Sequence, residues 1–128
     1  MVEFKSLTAI VPFYNEEAYI EESLSRLINV DLFSEIILVN NNSSDNSVRI
    51  VSKYLLDYSH ITLIHAVEKE GKGYAVLEGI KQTTSTHVIV HDADLEYSPV
   101  DIEEMLEIAK MHPNDLILGS RIKGNKVR

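Results

Sequence analysis

The chain has 128 residues and no cysteine, and 45% of its residues are hydrophobic and 25% charged. This composition is typical of an ordinary globular protein, and the length suits a single domain covering residues 1–128. Twenty acidic against twelve basic residues give a net charge of −8, which argues against a nucleic-acid partner. The lack of cysteine excludes disulfides and thiolate metal sites and makes the cytoplasm the default compartment. No apolar run approaches the roughly 20 residues of a transmembrane segment.

Short apolar segments alternate with helical patterns along the chain, which predicts β-α-β units and a parallel sheet. The five predicted strands cover residues 7–13, 35–40, 61–66, 87–91 and 115–119. All but the first are short and rich in Val, Ile or Leu, as expected where helices cover both faces of a sheet. The predicted fold class is therefore α/β, with three α-β-α layers around a mainly parallel, Rossmann-like sheet.

Four helices are predicted between these strands. Asn15 is expected to cap the first helix, and Ser44 or Asp45 the second. The third helix follows Gly73, and the fourth begins at Ser98-Pro99, because proline suits the first helical position.

Ligands of open α/β sheets bind outside the carboxyl ends of the strands, and this rule selects four segments of the chain. The selected segments are residues 12–16, 40–45, 92–96 and 120–121.

The strongest chemical signal is Asp92-Ala93-Asp94 at the end of the fourth predicted strand. Residues two apart in an extended segment project to the same side, so the two carboxylates converge. A divalent cation such as Mg²⁺ or Mn²⁺ accepts hard oxygen ligands and would neutralise a diphosphate leaving group. Taken alone, a D-x-D pair is a weak signal, because an ordinary acidic turn also explains it.

The other strand ends carry weaker signals. Pro12 and Tyr14 lie in a turn before a helix, where Tyr14 could line a base and where shaping the turn is the simpler explanation. Residues 40–45 form a polar run of which helix capping needs only one member. Lys72, between two glycines, could contact a phosphate. The segment lacks the glycine spacings of Walker and dinucleotide-binding motifs, however, and a simple turn also explains its two glycines.

Together these segments resemble the family 2 glycosyltransferases, and most of all the branch of dolichyl-phosphate mannosyltransferases and polyprenyl-phosphate sugar transferases. The resemblance covers most of the chain and is carried by IVPFYNE at 10–16, ILVNNNSSD at 37–45, GKG at 71–73, DADL at 92–95 and GSR at 119–121. It implies a GT-A type fold, a nucleoside-diphosphate sugar donor such as a UDP- or GDP-sugar, and bound Mg or Mn.

The resemblance also implies roles for individual residues. The implied metal ligands and catalytic groups are Asp92 and Asp94. The implied substrate-binding residues are Pro12, Tyr14 and Glu16 for the nucleotide, Asn40 and Asn42 for the base or ribose, and Glu96 and Arg121 for the metal and phosphates. Lys72 is a further candidate phosphate contact because of its position between two glycines.

The chain departs from its relatives in two respects. Many relatives carry aspartate where Asn40 stands, and asparagine loses that charge and adds a donor, which alters base recognition. Relatives usually continue with more sheet and the acceptor site, so we expect this chain to be the N-terminal donor-binding portion. An uncovered sheet edge would then favour a homo-oligomer.

These observations predict a glycosyltransferase that moves a sugar from a nucleoside diphosphate to a lipid-phosphate or saccharide acceptor, in the cytoplasm or at the cytoplasmic face of a membrane. The alternative is a non-catalytic nucleotide-sugar-binding module, favoured by Asn40 and the short length, whereas Asp92 and Asp94 favour the enzyme. A nucleotidyltransferase is disfavoured because residues 12–16 do not form a glycine-rich basic loop.

Overall fold

The computed structural model describes residues 4–93, 103–104, 107, 110–111 and 117–118. The strands are Leu7–Phe13 (β1), Glu35–Asn40 (β2), Ile61–His65 (β3), His87–Val90 (β4) and Ile117–Leu118 (β5). The helices are Ile20–Val30 (α1), Ser47–Ser52 (α2) and Lys72–Gln82 (α3), and a 3-10 turn at Lys53–Leu55 extends α2. Every helix in these ranges is too short or too polar to cross a lipid bilayer.

All five predicted strands are confirmed, with small differences in their ends. β3 and β4 each stop one residue earlier than predicted, and only the middle of the predicted fifth strand is described. Residues 103–104, 107 and 110–111 are helical, in the stretch where the fourth helix is predicted. The predicted start of that helix, Ser98-Pro99, lies outside the described residues.

The strands form one parallel sheet in the order β3-β2-β1-β4-β5. The chain therefore moves outward from β1 in one direction to β2 and β3, and then returns to the other side of β1 for β4. A reversal of this kind is a topological switch point, and it opens a crevice at the carboxyl ends of the two strands that flank it. Here those strands are β1 and β4.

β1 is buried along its whole length because helices cover both faces of the sheet. On one face, alternate residues such as Val11 pack in a cluster that includes Leu24 of α1 and Val51 of α2. On the other face, Ile10 packs with Ala75 of α3. The structure therefore confirms the predicted three-layer α-β-α architecture.

The predicted helix caps are wrong. α1 begins at Ile20, five residues after Asn15, and α2 begins at Ser47, after both Ser44 and Asp45. Neither helix has a side-chain cap hydrogen bond at its N-cap residue. Asn15 Oδ1 instead accepts from the backbone N–H of Asp45 in the neighbouring loop. The Asp45 carboxylate accepts from the N–H of Glu17 in the loop after β1 and also from the N–H of Ser47, the first residue of α2. α3 begins at Lys72 and so includes Gly73, which was predicted to precede it.

Gly79 allows α3 to lie close to the sheet. A Cβ atom at this position would be 2.7 Å from Cγ2 of Ile10 and 3.2 Å from Cγ2 of Val39. Such contacts would force the helix away from β1 and β2, so the absence of a side chain at Gly79 sets the helix–sheet distance.

Two glycines of α3 provide a matched test of this packing. Gly73→Ala should stabilise the protein by up to about 1 kcal/mol, because alanine is the better helix former and its Cβ would have no neighbour within 4 Å. Gly79→Ala should destabilise it by about 1–2 kcal/mol, because overpacking outweighs the same helical gain. Urea unfolding measures both, and an equal effect of the two substitutions would contradict the close approach of α3.

Candidate functional site

An open pocket of about 380 Å³ lies at the carboxyl ends of β1 and β4. Its position is the switch point of the sheet, where the strand order predicts a ligand crevice. Four parts of the chain line it: the end of β1 with the loop that follows, the residue after β2, the start of α3 and the residues after β4. The lining residues are Pro12, Phe13, Tyr14, Glu16, Asn41, Lys72, Ala75, Asp92 and Ala93.

The structure brings together half of the residues singled out from the sequence. Those that line the pocket are Pro12, Tyr14, Glu16, Lys72 and Asp92. Two others, Asn40 and Asn42, lie next to a lining residue but are not themselves in the lining. The remaining three, Asp94, Glu96 and Arg121, lie outside the described residues.

Lys72 and Asp92 form an ion pair in this pocket. Lys72 is the first residue of α3, and Asp92 follows the end of β4 by two residues. The lysine side chain is 48% exposed and the aspartate side chain 18%, so solvent weakens the contribution of this pair to stability. The pair nevertheless places a cationic and an anionic group side by side in the pocket.

His91 brings no positive charge to this end of the sheet at neutral pH. Its side chain is almost fully buried, and burial lowers its pKa to about 4 against the opposing effect of the Asp92 carboxylate. The neutral imidazole leaves the Lys72 ammonium as the cation paired with Asp92. The backbone N–H of His91 donates to the carbonyl of Ile10 at 2.9 Å, which continues the β1–β4 pairing beyond the end of β4.

The loops after β1 and β2 are joined by side-chain hydrogen bonds. Asn15 Oδ1 accepts from the backbone N–H groups of Ser44 and Asp45 at 2.8 and 3.2 Å. Ser47 Oγ, which is buried, accepts from the backbone N–H of Glu16 at 2.8 Å. These contacts hold the rim of the pocket at Tyr14 and Glu16 against the loop that precedes α2.

The side chain of Asp45 also joins these two loops. Its carboxylate accepts hydrogen bonds from the backbone N–H groups of Glu17 and Ser47 at 3.1 and 2.9 Å. Burial raises the pKa of Asp45, but these hydrogen bonds outweigh that effect and hold the pKa below its ordinary value. The charged carboxylate is thus the form that joins the two loops.

The three successive asparagines after the core of β2 have different environments. Asn40 is buried, with Nδ2 3.0 Å from Nδ1 of His65 and Oδ1 accepting from the N–H of Ser43 at 2.8 Å. Asn41 is also buried and lines the pocket, whereas Asn42 is exposed with a left-handed φ of 67°. Sequence reasoning selected Asn40 and Asn42 and missed Asn41, because no local pattern separates the three.

The Asp92 carboxylate suits a hard divalent cation. It is an oxygen donor in the pocket, and it already interacts with a cation, the Lys72 ammonium. Within the described ranges no three His, Cys, Asp or Glu side chains cluster closely enough to hold a metal. Asp92 is one of the two predicted metal ligands, and the other, Asp94, is not among the residues that the structure describes.

Substitutions of Asn15 test the junction between the loops. Asn15 has a left-handed φ of 50°, which glycine tolerates and alanine does not. Asn15→Gly should cost about 1 kcal/mol from the lost acceptor, and Asn15→Ala roughly 1 kcal/mol more from backbone strain. Urea unfolding of the two variants measures the difference. Equal stability of Asn15→Gly and Asn15→Ala would show that the left-handed conformation is not needed.

Comparisons with known proteins identify relatives of this chain. The sequence profile described as "Glycosyl transferase family 2" matches residues 8–128. A dolichol-phosphate mannosyltransferase from Pyrococcus furiosus is 32% identical over 124 residues, which cover 94% of this chain and 35% of that protein. An undecaprenyl-phosphate 4-deoxy-4-formamido-L-arabinose transferase from Pectobacterium carotovorum is 31% identical over 112 residues, which cover 84% of this chain and 34% of that protein.

A solved structure shows the same fold. The mannosyltransferase PcManGT from Pyrobaculum calidifontis, in complex with GDP-Man and Mn²⁺, superposes with a TM-score of 0.72 at 26% identity. The match covers 83% of this chain and 32% of that one. The chain thus spans about a third of the length of each of these relatives.

Proposed function

This chain belongs to the family 2 glycosyltransferases and has their GT-A fold, and on that premise we propose that its pocket binds a nucleoside-diphosphate sugar for transfer to an acceptor. The observation that carries the proposal is the pocket at the switch point of the sheet, where Lys72 and Asp92 lie together. This arrangement offers one cation for phosphate oxygens and one carboxylate for a metal ion.

The nucleoside lies, in this proposal, on the β1 side of the pocket. Tyr14 lines the pocket and is 54% exposed, so its ring is available to a base. Pro12 and Glu16 line the same side, and the hydrogen bonds of Asn15 to the next loop hold this segment in place. Asn42 is exposed at the adjacent loop and remains a predicted contact for the base or ribose, as does Asn40.

The diphosphate lies on the α3 side of the pocket. Lys72 stands at the first position of α3, where the helix dipole also favours an anion. On donor binding, the Lys72 ammonium exchanges its contact with Asp92 for a phosphate oxygen. Asp92 and Asp94 would hold Mg²⁺ or Mn²⁺, which would supply charge neutralisation for the departing diphosphate. Glu96 and Arg121 are further predicted contacts for the metal and phosphates.

The transfer step exchanges one bond to the sugar for another. An acceptor oxygen forms a bond to the anomeric carbon, the bond from that carbon to the diphosphate oxygen breaks, and the nucleoside diphosphate leaves with the electron pair. An acceptor phosphate already carries an anionic oxygen, so this reaction needs no strong base, whereas a hydroxyl acceptor must lose its proton.

We favour a lipid phosphate as the acceptor over a saccharide. The support is the names of two relatives, a dolichol-phosphate mannosyltransferase and an undecaprenyl-phosphate sugar transferase. Both names refer to polyprenyl phosphates, which reside in membranes. Transfer to such an acceptor takes place at a membrane surface, and the cytoplasmic face is the predicted side.

The donor site can be tested by calorimetric titration with GDP-mannose and UDP-glucose, with and without Mn²⁺. Asp92→Asn should weaken Mn²⁺-dependent binding at least about tenfold, because it removes a charged metal ligand. Glu22→Gln is the matched control, since it breaks the ion pair with Arg26 on α1 and changes no residue that lines the pocket. Equal affinity of Asp92→Asn and Glu22→Gln would contradict the metal role of Asp92.

A second assay separates an enzyme from a binding module. The chain is incubated with the donor that binds, with Mn²⁺ and with a polyprenyl phosphate, and the release of nucleoside diphosphate is followed. Turnover above the rate of Asp92→Asn supports the transferase. Donor binding without any release of nucleoside diphosphate would instead support the non-catalytic module.

The sheet order also bears on self-association. β3 is the outermost strand on its side of the described sheet, and outer strands offer unpaired backbone groups. We propose that two copies pair through this edge. Light scattering over a wide concentration range should show a dimer, and a monomer throughout would contradict the proposal.

A further inference from the structure

Asn41 connects the end of β2 to the segment that leads into α3. The residue is 7% exposed, and both of its side-chain amide N–H groups donate to backbone carbonyls, of Ala66 at 2.6 Å and of Lys69 at 2.8 Å. Its Oδ1 accepts from the backbone N–H of Gly71 at 2.8 Å. The amide therefore uses both donor hydrogens and its acceptor on backbone 25 to 30 residues away in sequence.

The segment held by Asn41 has little burial of its own. Residues 67–71 are all exposed, and Gly71 has a φ of 125°, a conformation that residues with a side chain rarely adopt. An exposed segment in an unusual conformation gains little order from packing. The three hydrogen bonds of Asn41 therefore hold its backbone in place. The N–H of Gly71 makes the last of these three contacts along the chain.

Lys72 follows Gly71 directly and pairs with Asp92 across the pocket. Fixing Gly71 therefore fixes the start of α3 and the origin of the Lys72 side chain. Asn41 also lines the same pocket. We infer that Asn41 is a positioning residue that sets Lys72 toward the donor diphosphate, an inference that rests on the proposed function for the identity of the ligand.

The chemistry of the amide can be separated from its volume. Asn41→Asp preserves the shape and retains an acceptor for the Gly71 N–H. Its second oxygen, however, faces the carbonyl oxygens of Ala66 and Lys69, where two donors stand in the wild type. The substitution should therefore release the segment without opening a cavity. Asn41→Ala is the second variant, which removes all three contacts without adding charge.

The matched control lies at the opposite end of the sheet. Thr8 is fully buried, and its hydroxyl bonds to Glu35 and to the hydroxyl groups of Thr83 and Ser85. Thr8→Val thus removes a buried polar group with several partners and leaves the pocket untouched. If binding were lost only through a general loss of stability, Thr8→Val and an Asn41 variant of equal stability would lose it equally.

The first readout is a double-mutant cycle with Lys72→Met, using GDP and UDP with Mn²⁺ as probes and GMP and UMP as comparisons. Asn41→Asp and Asn41→Ala should each weaken diphosphate binding about five- to tenfold and change monophosphate binding less than about twofold. Adding either Asn41 substitution to Lys72→Met should cause little further loss of diphosphate affinity, because Asn41 acts through the Lys72 ammonium. Additive losses, or equal losses for diphosphates and monophosphates, would overturn the inference.

The second readout needs no nucleotide. Hydrogen exchange of the Gly71 amide, followed by NMR, should be at least about tenfold faster in both Asn41 variants and unchanged in Thr8→Val. Unchanged exchange at Gly71 overturns the inference even where nucleotides bind. Failure of the wild type to bind either diphosphate overturns the proposed function and the diphosphate role of Lys72. Faster Gly71 exchange would then still establish that Asn41 holds the segment.

Discussion

Parallel pairing of β1 with β2 on one side and with β4 on the other is the constraint on which the site depends. β1 is buried along its whole length, so its register is held by helices on both faces as well as by its two neighbours. Because all the strands are parallel, their carboxyl ends meet at one edge of the sheet. The reversal of strand order at β1 then leaves a crevice between the ends of β1 and β4, and the pocket lies there.

The loops at this edge have little regular structure, and side chains satisfy their backbone groups instead. Asn15, Asn41 and Asp45 each accept hydrogen bonds from backbone N–H groups of another loop or of their own. Buried or partly buried backbone groups need such partners, which explains why polar residues gather after β2. The result is a rim held by short polar side chains, with Lys72 and Asp92 paired within the pocket.

The loops at this edge of the sheet contain two kinds of residue. The residues that shape the pocket and those proposed to meet the ligand are different members of the same short segments. Asn15 shapes the loop in which Tyr14 and Glu16 line the pocket. Asn41 similarly holds the segment before Lys72. A substitution that alters ligand affinity at this edge therefore acts either on a contact or on the loop that presents it.

The sequence by itself determined the strands, the three-layer class and the family, because each follows from local periodicity or from short motifs at strand ends. It also selected Pro12, Tyr14, Glu16, Lys72 and Asp92, which the fold brings to one pocket. Only the tertiary structure decided the partners of the polar side chains. Asn15 is a residue type that often caps helices, yet its side chain bonds to a loop 30 residues away, and Asp45 bonds both to the start of α2 and to a loop 28 residues away. Asn41 differs from Asn40 and Asn42 only in what the fold places beside it. A side chain that can satisfy either a local or a distant backbone group carries no local signal of the choice, because that choice is made by the packing of the strands.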